Sequence, residues 1–228
     1  MKIHMFSGSG FAWRVTFACQ VKGVTYDEAL MQPTRDSLKS PAFLQLSPRG
    51  KVPAIEVDGY ALSESMAILA YLDAKHPTPP LFGTTPEETG RIWQAVLDFD
   101  LYVSAAMVSN VIALIAGGRG ANSEDTLKQG ATVVHSELAS LEDDLSDAGW
   151  IVGDGLTAAD IAIFPLIEGL IRFTGKPEVR SFDLGFDHFG SRYPQLENWR
   201  QMIKALPAYE ASYPAYWREI DLAQPAVA

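Results

Sequence analysis

The chain of 228 residues reads as two domains. The first is an α/β domain ordered βαβαββα around a mixed sheet. The second is an all-α helical bundle. Three observations predict this. Strand-like and helix-like segments alternate over the first 76 residues, and everything beyond reads as helix. Pro77, Pro79, Pro80 and Pro86 punctuate the join. The net charge of −10 is uneven, with residues 1–83 nearly balanced and the acidic excess falling after them. The expected boundaries are 1–76 for the first domain, 77–86 for the linker, 87–222 for the helical domain and 223–228 for a frayed tail.

Met1 to Ser7 reads as a strand, and Ser7-Gly8-Ser9-Gly10 as a turn. Phe11 to Lys22 carries apolar residues on more than one helical face, and Gly23 is a C-terminal stop. Thr25 to Met31 is a second strand. Thr34 to Leu46 is a short helix interrupted by Pro41. Ala54 to Val57 and Tyr60 to Leu62 form a hairpin around Asp58-Gly59, a favoured two-residue turn. Ser65 to Lys75 is a helix that is apolar nearly all round, so burial on two sides is expected. The first strands form a parallel pair and the hairpin an antiparallel one, so the sheet is mixed.

In the second domain Thr85, Pro86 and Glu88 form a capping box for a helix running to about Ala116, stopped by Gly117-Gly118-Arg119-Gly120. Leu127, Ala131, Val134, Leu138, Leu141, Leu145 and Ala148 make one apolar stripe on the next helix. Glu142-Asp143-Asp144 reads as a solvated face of it. Thr157 caps a further helix, with Asp160 reaching back and Leu156 and Ile161 as the staple. That helix is apolar on all sides, as a central helix should be, and Pro165 is expected to bend it.

Composition excludes several functions. Apolar residues are 47% of the chain, beside 18 Gly and 14 Pro, so it is neither disordered nor fibrous. The negative charge argues against nucleic acid as a partner. The single cysteine, Cys19, permits no intrachain disulfide and suits a reducing cytoplasm. Cys19 reads as a small core or interface residue. The four histidines are scattered without ligand spacing, so no metal is expected. The first ten residues lack the pattern of a secretory signal, and no unbroken apolar run has the ~18 residues of a membrane span. A cytoplasmic protein with no membrane partner is expected.

Three segments carry chemistry. In Ser47-Pro48-Arg49-Gly50-Lys51-Val52-Pro53, Pro53 opens a strand where its missing N–H does least harm. If the Val52–Pro53 bond is cis, the Val52 N–H and C=O are left free, and a bound peptide can pair with both. An ordinary loop with a trans proline is the plainer alternative. Ser63-Glu64-Ser65 starts a helix directly after a strand, and a helix N-terminus suits a carboxylate. Ser65 adds a donor, and Glu64 can pair with an amino group, which together fit an α-amino acid end; a plain cap by Ser63 is the alternative. Ser7-Gly8-Ser9-Gly10-Phe11 lacks the third glycine of a dinucleotide fingerprint. A serine there can donate to an anion with help from the helix dipole, or simply cap the helix. Phe11, Trp13, Tyr102, Tyr216 and Trp217 are candidate walls for an apolar pocket, with Met107 and Asn110 weaker ones.

Together these segments resemble the cytosolic glutathione transferase family. The resemblance rests on Lys39 to Leu44, Ser47 to Pro53, Glu64 to Leu72 and the capped stretch Gly153 to Asp160, and it covers about residues 1–220. It implies a thioredoxin-like domain followed by a helical one, in a homodimer. It implies glutathione as co-substrate and a small apolar electrophile. Pro53 is then the cis proline, and the Val52 backbone pairs with the cysteinyl unit. Glu64 and Ser65 hold the γ-glutamyl end, and Lys39 holds the glycyl carboxylate. Lys51 stands where many members have glutamine. The reactive species is a thiolate, which one hydroxyl donor and a helix N-terminus favour. Ser9 has the spacing of the active serine in theta-, phi- and zeta-like classes, with Ser7 as the fallback. Ser9 to Val15 also resembles the zeta-class motif Ser-Ser-Cys followed by Trp-Arg-Val, which implies a glutathione-dependent isomerase as an alternative. Here Gly10 and Phe11 replace the second Ser and the Cys. A non-catalytic glutathione-binding module is a third reading of the same fold.

Overall fold

A computed structural model describes residues 1–118 and 123–223. The expected tail from Gln224 onward, and Arg119 and Gly120 of the expected helix stop, lie outside the described residues. The chain divides into two compact units. Residues 1–81 and the C-terminal segment from Lys204 form one; residues 82–203 form the other. The compact units thus group the last helices with the first unit. The last helices belong to the first unit because their aromatic side chains pack around Trp13, a contact that sequence separation conceals.

The first unit holds β1 (Lys2–Met5), α1 (Gly10–Val21), β2 (Asp27–Leu30), α2 (Arg35–Leu38), α3 (Pro41–Leu46), β3 (Ala54–Val57), β4 (Tyr60–Ser63) and α4 (Ser65–Lys75). This is the expected βαβαββα order, with the helix around Pro41 split in two because Ser40 caps a new start. The sheet runs β2-β1-β3-β4 and is mixed. β1 and β2 are parallel, and the other pairs are antiparallel. α1 is buried from Ala12 to Cys19, as its two apolar faces require. α4 buries Ile68, Leu69 and Leu72, while Met66 and Ala70 stay half-buried. Edge strand β2 carries Asp27 and Glu28, and charge on an exposed edge discourages further pairing.

A buried lysine closes this unit. Lys22 caps α1, and its side chain is fully enclosed. Its Nζ lies 2.7 Å from Asp73 and donates to the carbonyls of His76 at 2.6 Å and Pro79 at 2.8 Å. Asp73 also accepts the Leu81 N–H at 2.8 Å. The pair thus fixes the end of α4 and the chain leaving it. Cys19 is fully buried nearby in α1, and burial pushes its thiol up to about 12. It is a core residue.

The second unit begins with α5 (Pro86–Asp98), which carries the expected capping box. The helix continues through two π-helical stretches, Phe99–Ser104 and Met107–Ile112, to α6 (Ala113–Ala116). Ile92, Val96, Phe99, Val103, Met107 and Val111 form its buried stripe. By length and composition this helix of 31 residues could cross a membrane. Charged and polar residues break its apolar runs, so no unbroken run of membrane-spanning length occurs along it. α7 (Glu124–Asp143) buries Leu127, Ala131, Val134 and Leu138. The stripe ends there, since Leu145 and Ala148 lie beyond the helix.

Glu142 is not solvated as expected. Its carboxylate accepts the backbone N–H of Gln195 at 2.8 Å and of Leu196 at 2.7 Å. It therefore caps α11 (Pro194–Lys204) from across the unit, satisfying donors that a helix start leaves open. α8 (Ala158–Thr174) is the central helix, buried from Ala158 to Ile167, and it continues unbroken through Pro165. Its capping box is present. Asp160 is fully buried and also accepts from the Ile151 N–H at 3.1 Å and the Trp199 indole at 2.8 Å. Burial pushes this carboxyl up, and its hydrogen-bond donors oppose that. Two short helices, α9 (Pro177–Arg180) and α10 (Phe189–Arg192), precede α11. The chain then returns to the first unit as α12 (Pro207–Ser212) and α13 (Ala215–Ala223).

Replacing Lys22 with Met keeps the stem and strands Asp73 without its cation. Breaking a buried pair in this way should cost about 3 kcal/mol. Chemical denaturation checks this, and a loss below about 1 kcal/mol would mean the pair is well solvated.

Candidate active site

The strand register gathers the site. Ala54 at the start of β3 pairs with His4 on one side and Ser63 on the other. The end of β1, the start of β3 and the end of β4 therefore lie at one edge of the sheet. The Ser7–Ser9 turn, Val52-Pro53 and Glu64-Ser65 all continue from that edge. Contacts join them further. Arg14 in α1 donates to the Ser65 hydroxyl at 3.3 Å. Arg49 lies 3.9 Å from the Glu64 carboxylate. Lys39 donates to the Arg49 carbonyl at 2.6 Å. The structure thus brings Ser9, Lys39, Val52, Pro53, Glu64 and Ser65 to one side of the first unit.

The Val52–Pro53 bond is cis. Among the described residues, neither the N–H nor the C=O of Val52 has a hydrogen-bond partner. The loop before it is held by Ser47, whose hydroxyl donates to the Lys51 carbonyl at 2.8 Å and accepts the Lys51 N–H at 3.1 Å. Gly50 has φ +62°, and a Cβ there would stand 2.4 Å from the Leu38 carbonyl oxygen. No other residue fits this close approach. Lys51 is exposed beside it.

The start of α4 differs from the plain cap that Ser63 might have made. The N-cap is Glu64, with φ +73° and no side-chain hydrogen bond to the helix. The first-turn donors are left uncapped next to the buried Ser65 hydroxyl. A non-glycine residue at positive φ stores strain, and such strain gathers at ligand sites. Glu64 is itself exposed.

Ser9 is the N-cap of α1, accepting the Ala12 N–H at 3.4 Å. That contact uses a lone pair and leaves its O–H free to donate elsewhere. The Ser7 oxygen accepts the Tyr216 N–H at 2.9 Å. Phe11 is half-buried and lies under the Arg14 guanidinium, 4.9 Å from the ring centroid.

The other pocket candidates separate. Trp13 is only 1% exposed and its indole donates to the Ser212 hydroxyl at 3.0 Å. It is a core side chain that supports the turn from behind. Trp217 is buried against it. Tyr102, Met107 and Asn110 belong to the helical unit. Tyr102 is exposed and lines a groove of about 690 Å³ with Phe99, Val103 and Ile151. Met107 is fully buried in that unit's core. Asn110 packs on Gly130 of α7, where a Cβ would come within 2.7 Å of its own. Both are packing residues within this unit because their helix faces turn toward α7. Sequence reasoning gave no role to Arg14, Arg49 or Gly50. Gly50 had a signal, a glycine between two basic residues in a proline-bounded loop; the arginine contacts span the fold and had none. Among the described residues no group of His, Cys, Asp or Glu is placed to hold a metal ion.

A βαβαββα unit with a cis proline opening β3, followed by a helical unit, defines a thioredoxin-like protein with an all-α second domain. The chain matches the glutathione S-transferase N-terminal domain over residues 3–80 and the C-terminal domain over residues 101–207. It belongs to the glutathione S-transferase family, a family of enzymes. Maleylacetoacetate isomerase of Pseudomonas aeruginosa is 28% identical, over 94% of this chain and 96% of that protein. A glutathione S-transferase from the Antarctic clam Laternula elliptica is 26% identical with a TM-score of 0.74, covering 96% of this chain and 94% of the other. Maleyl pyruvate isomerase, a bacterial zeta-class glutathione S-transferase, shares the fold over the whole of both chains, with a TM-score of 0.75 at 23% identity.

Glu64→Gly removes the positive-φ strain at some cost in unfolded-chain entropy, so the net expectation is a gain of about 1 kcal/mol. A raised thermal midpoint checks this; a lowered one would show that the Glu64 backbone is unstrained.

Proposed function

We propose that this enzyme transfers the glutathione thiolate to a small apolar electrophile, with the Ser9 hydroxyl stabilising the thiolate. The observation that carries the reading is the unpaired Val52 backbone at the same sheet edge as two helix N-termini. An extended peptide can pair with Val52 as an added strand does. The uncapped start of α4 suits the carboxylate of the γ-glutamyl end, with Ser65 as a further donor and Glu64 for its amino group. Lys39 and Lys51 are exposed cations on the glycyl side.

Ser9 is favoured over Ser7 because Ser9 is the N-cap of α1, at the positive end of that helix. A serine hydroxyl is far too weak an acid to serve as a base here; it donates a hydrogen bond to the sulfur. With the positive end of α1 beside it, this donor stabilises the anionic form and lowers the thiol pKa. Phe11 is the aromatic side chain of this unit that we assign to the electrophile.

The names of relatives such as the Pseudomonas aeruginosa isomerase favour a second reading, a glutathione-dependent cis–trans isomerase. In that reaction the thiolate adds, a bond rotates, and the thiolate leaves unchanged. Gly10 and Phe11, where the zeta-class motif has Ser and Cys, favour transfer instead. The lone, buried cysteine is in keeping with a cytoplasmic setting.

Ser9→Ala should lower turnover about 100-fold, the cost of one well-placed donor, while glutathione affinity stays within about threefold. Thiolate absorbance in the ultraviolet should disappear with it. Unchanged turnover would sink the assignment. Stoichiometric loss of glutathione marks the transferase, and turnover on trace glutathione marks the isomerase.

We also propose a homodimer. Leu97, Leu101, Tyr102 and Val133 are large apolar side chains exposed at 49%, 62%, 60% and 45% on the helical unit, and a second copy would cover them. Light scattering at micromolar concentration should give twice the 24.9 kDa chain mass. A monomer would refute this.

A further inference from the structure

We propose that the C-terminal segment from α12 to α13 is a brace for the Ser7–Ser9 turn, with Trp217 and Tyr216 as positioning residues for the Ser9 hydroxyl. The inference rests on Ser9 as the thiolate donor and concerns what holds that donor in place.

The turn needs holding. Gly8 has φ +89°, a conformation that glycine adopts freely and leaves freely. Beside the turn is a cavity of about 250 Å³, whose lining includes Met5, Ser7, Ser9, Thr16, Ser212 and Arg218. Packing is therefore incomplete on that side. A catalytic hydroxyl must nevertheless stay within about 0.5 Å of its working position.

The C-terminal segment grips the turn on both sides of Ser9. Before it, the Trp217 indole lies directly on Gly8, where a Cβ would come within 2.7 Å of Nε1. The Tyr216 N–H, in the first turn of α13 and so without an intrahelical partner, donates to Ser7 at 2.9 Å. After it, Trp13 in the first turn of α1 donates to Ser212 and meets the Trp217 ring edge-on at 5.3 Å. Tyr213 adds a second edge contact to Trp13 at 5.6 Å. The brace is stiffened internally. The Tyr213 hydroxyl donates to Asp221 at 2.7 Å, and Arg218 bonds the Glu210 carboxylate and, at 3.0 Å, its carbonyl.

A loosened brace lets the hydroxyl wander without removing any group that binds glutathione. Thiolate formation should suffer while affinity does not. The test is a pH titration of thiolate absorbance in the glutathione complex, with affinity measured by calorimetry. Trp217→Ala should raise the thiolate pKa by about one unit, a tenfold loss of thiolate below it. The dissociation constant should stay within threefold, and Trp217→Phe should restore most of the shift. Trp217→Leu keeps the apolar filling and serves if the alanine variant fails to fold. A pKa unchanged in these variants, with only the thermal midpoint lowered, overturns the brace. Ser9→Ala run alongside separates the two failures: thiolate retained there removes the premise, and thiolate lost there with Trp217 variants unaffected overturns the brace alone.

Discussion

The first unit depends on one constraint, the antiparallel register of β1, β3 and β4. Ala54 faces His4 and Ser63 at once, so three separate chain segments leave the sheet at one edge. A slip of one residue in either pair would turn Ile55 out of the core and send the Glu64-Ser65 corner to the other face. Hydrophobic burial of Ile3 and Ile55, both fully enclosed, guards against that slip.

Helix starts are satisfied in different ways along the chain. In the helical unit, protein oxygens meet the donors at the starts of α5, α8 and α11: Glu88 and Thr85, Asp160 and Thr157, and distant Glu142. In the first unit α4 begins on a strained Glu64 with no side-chain cap. Capping lowers the energy of a helix end, and a ligand's carboxylate can do the same only where the protein has left the donors unused. The uncapped start of α4 stands apart from α1, α2 and α3 of the same unit, whose starts are capped by Ser9, Thr34 and Ser40.

Much of this was legible in the sequence because it is local. The capping boxes at Thr85 and Thr157, the Asp58-Gly59 hairpin and the βαβαββα order each rest on residues a few positions apart. The site segments were legible as motifs of the same kind. What escaped depends on distance along the chain. Glu142 looked like one more acid in an acidic run, and only the approach of Gln195 and Leu196 makes it a cap. Met107 and Asn110 looked like candidates for a pocket, and the helical unit turns them toward its own core. Tyr216 and Trp217 were visible as aromatics near the end of the chain. Their seat on Gly8 lies 209 residues away for the Tyr216–Ser7 contact, beyond any periodicity.

The return of α12 and α13 has a consequence for how the molecule is made. A ribosome releases chains from the N-terminus at about 5–20 residues per second. Residues 1–81 emerge first, yet Trp13 then has neither Ser212 nor Trp217 to cover it. The unit begun first is finished last, after the whole helical unit has been synthesised. Until the final helices emerge, a large aromatic side chain stands uncovered in the nascent protein, next to a turn that has nothing yet to rest on.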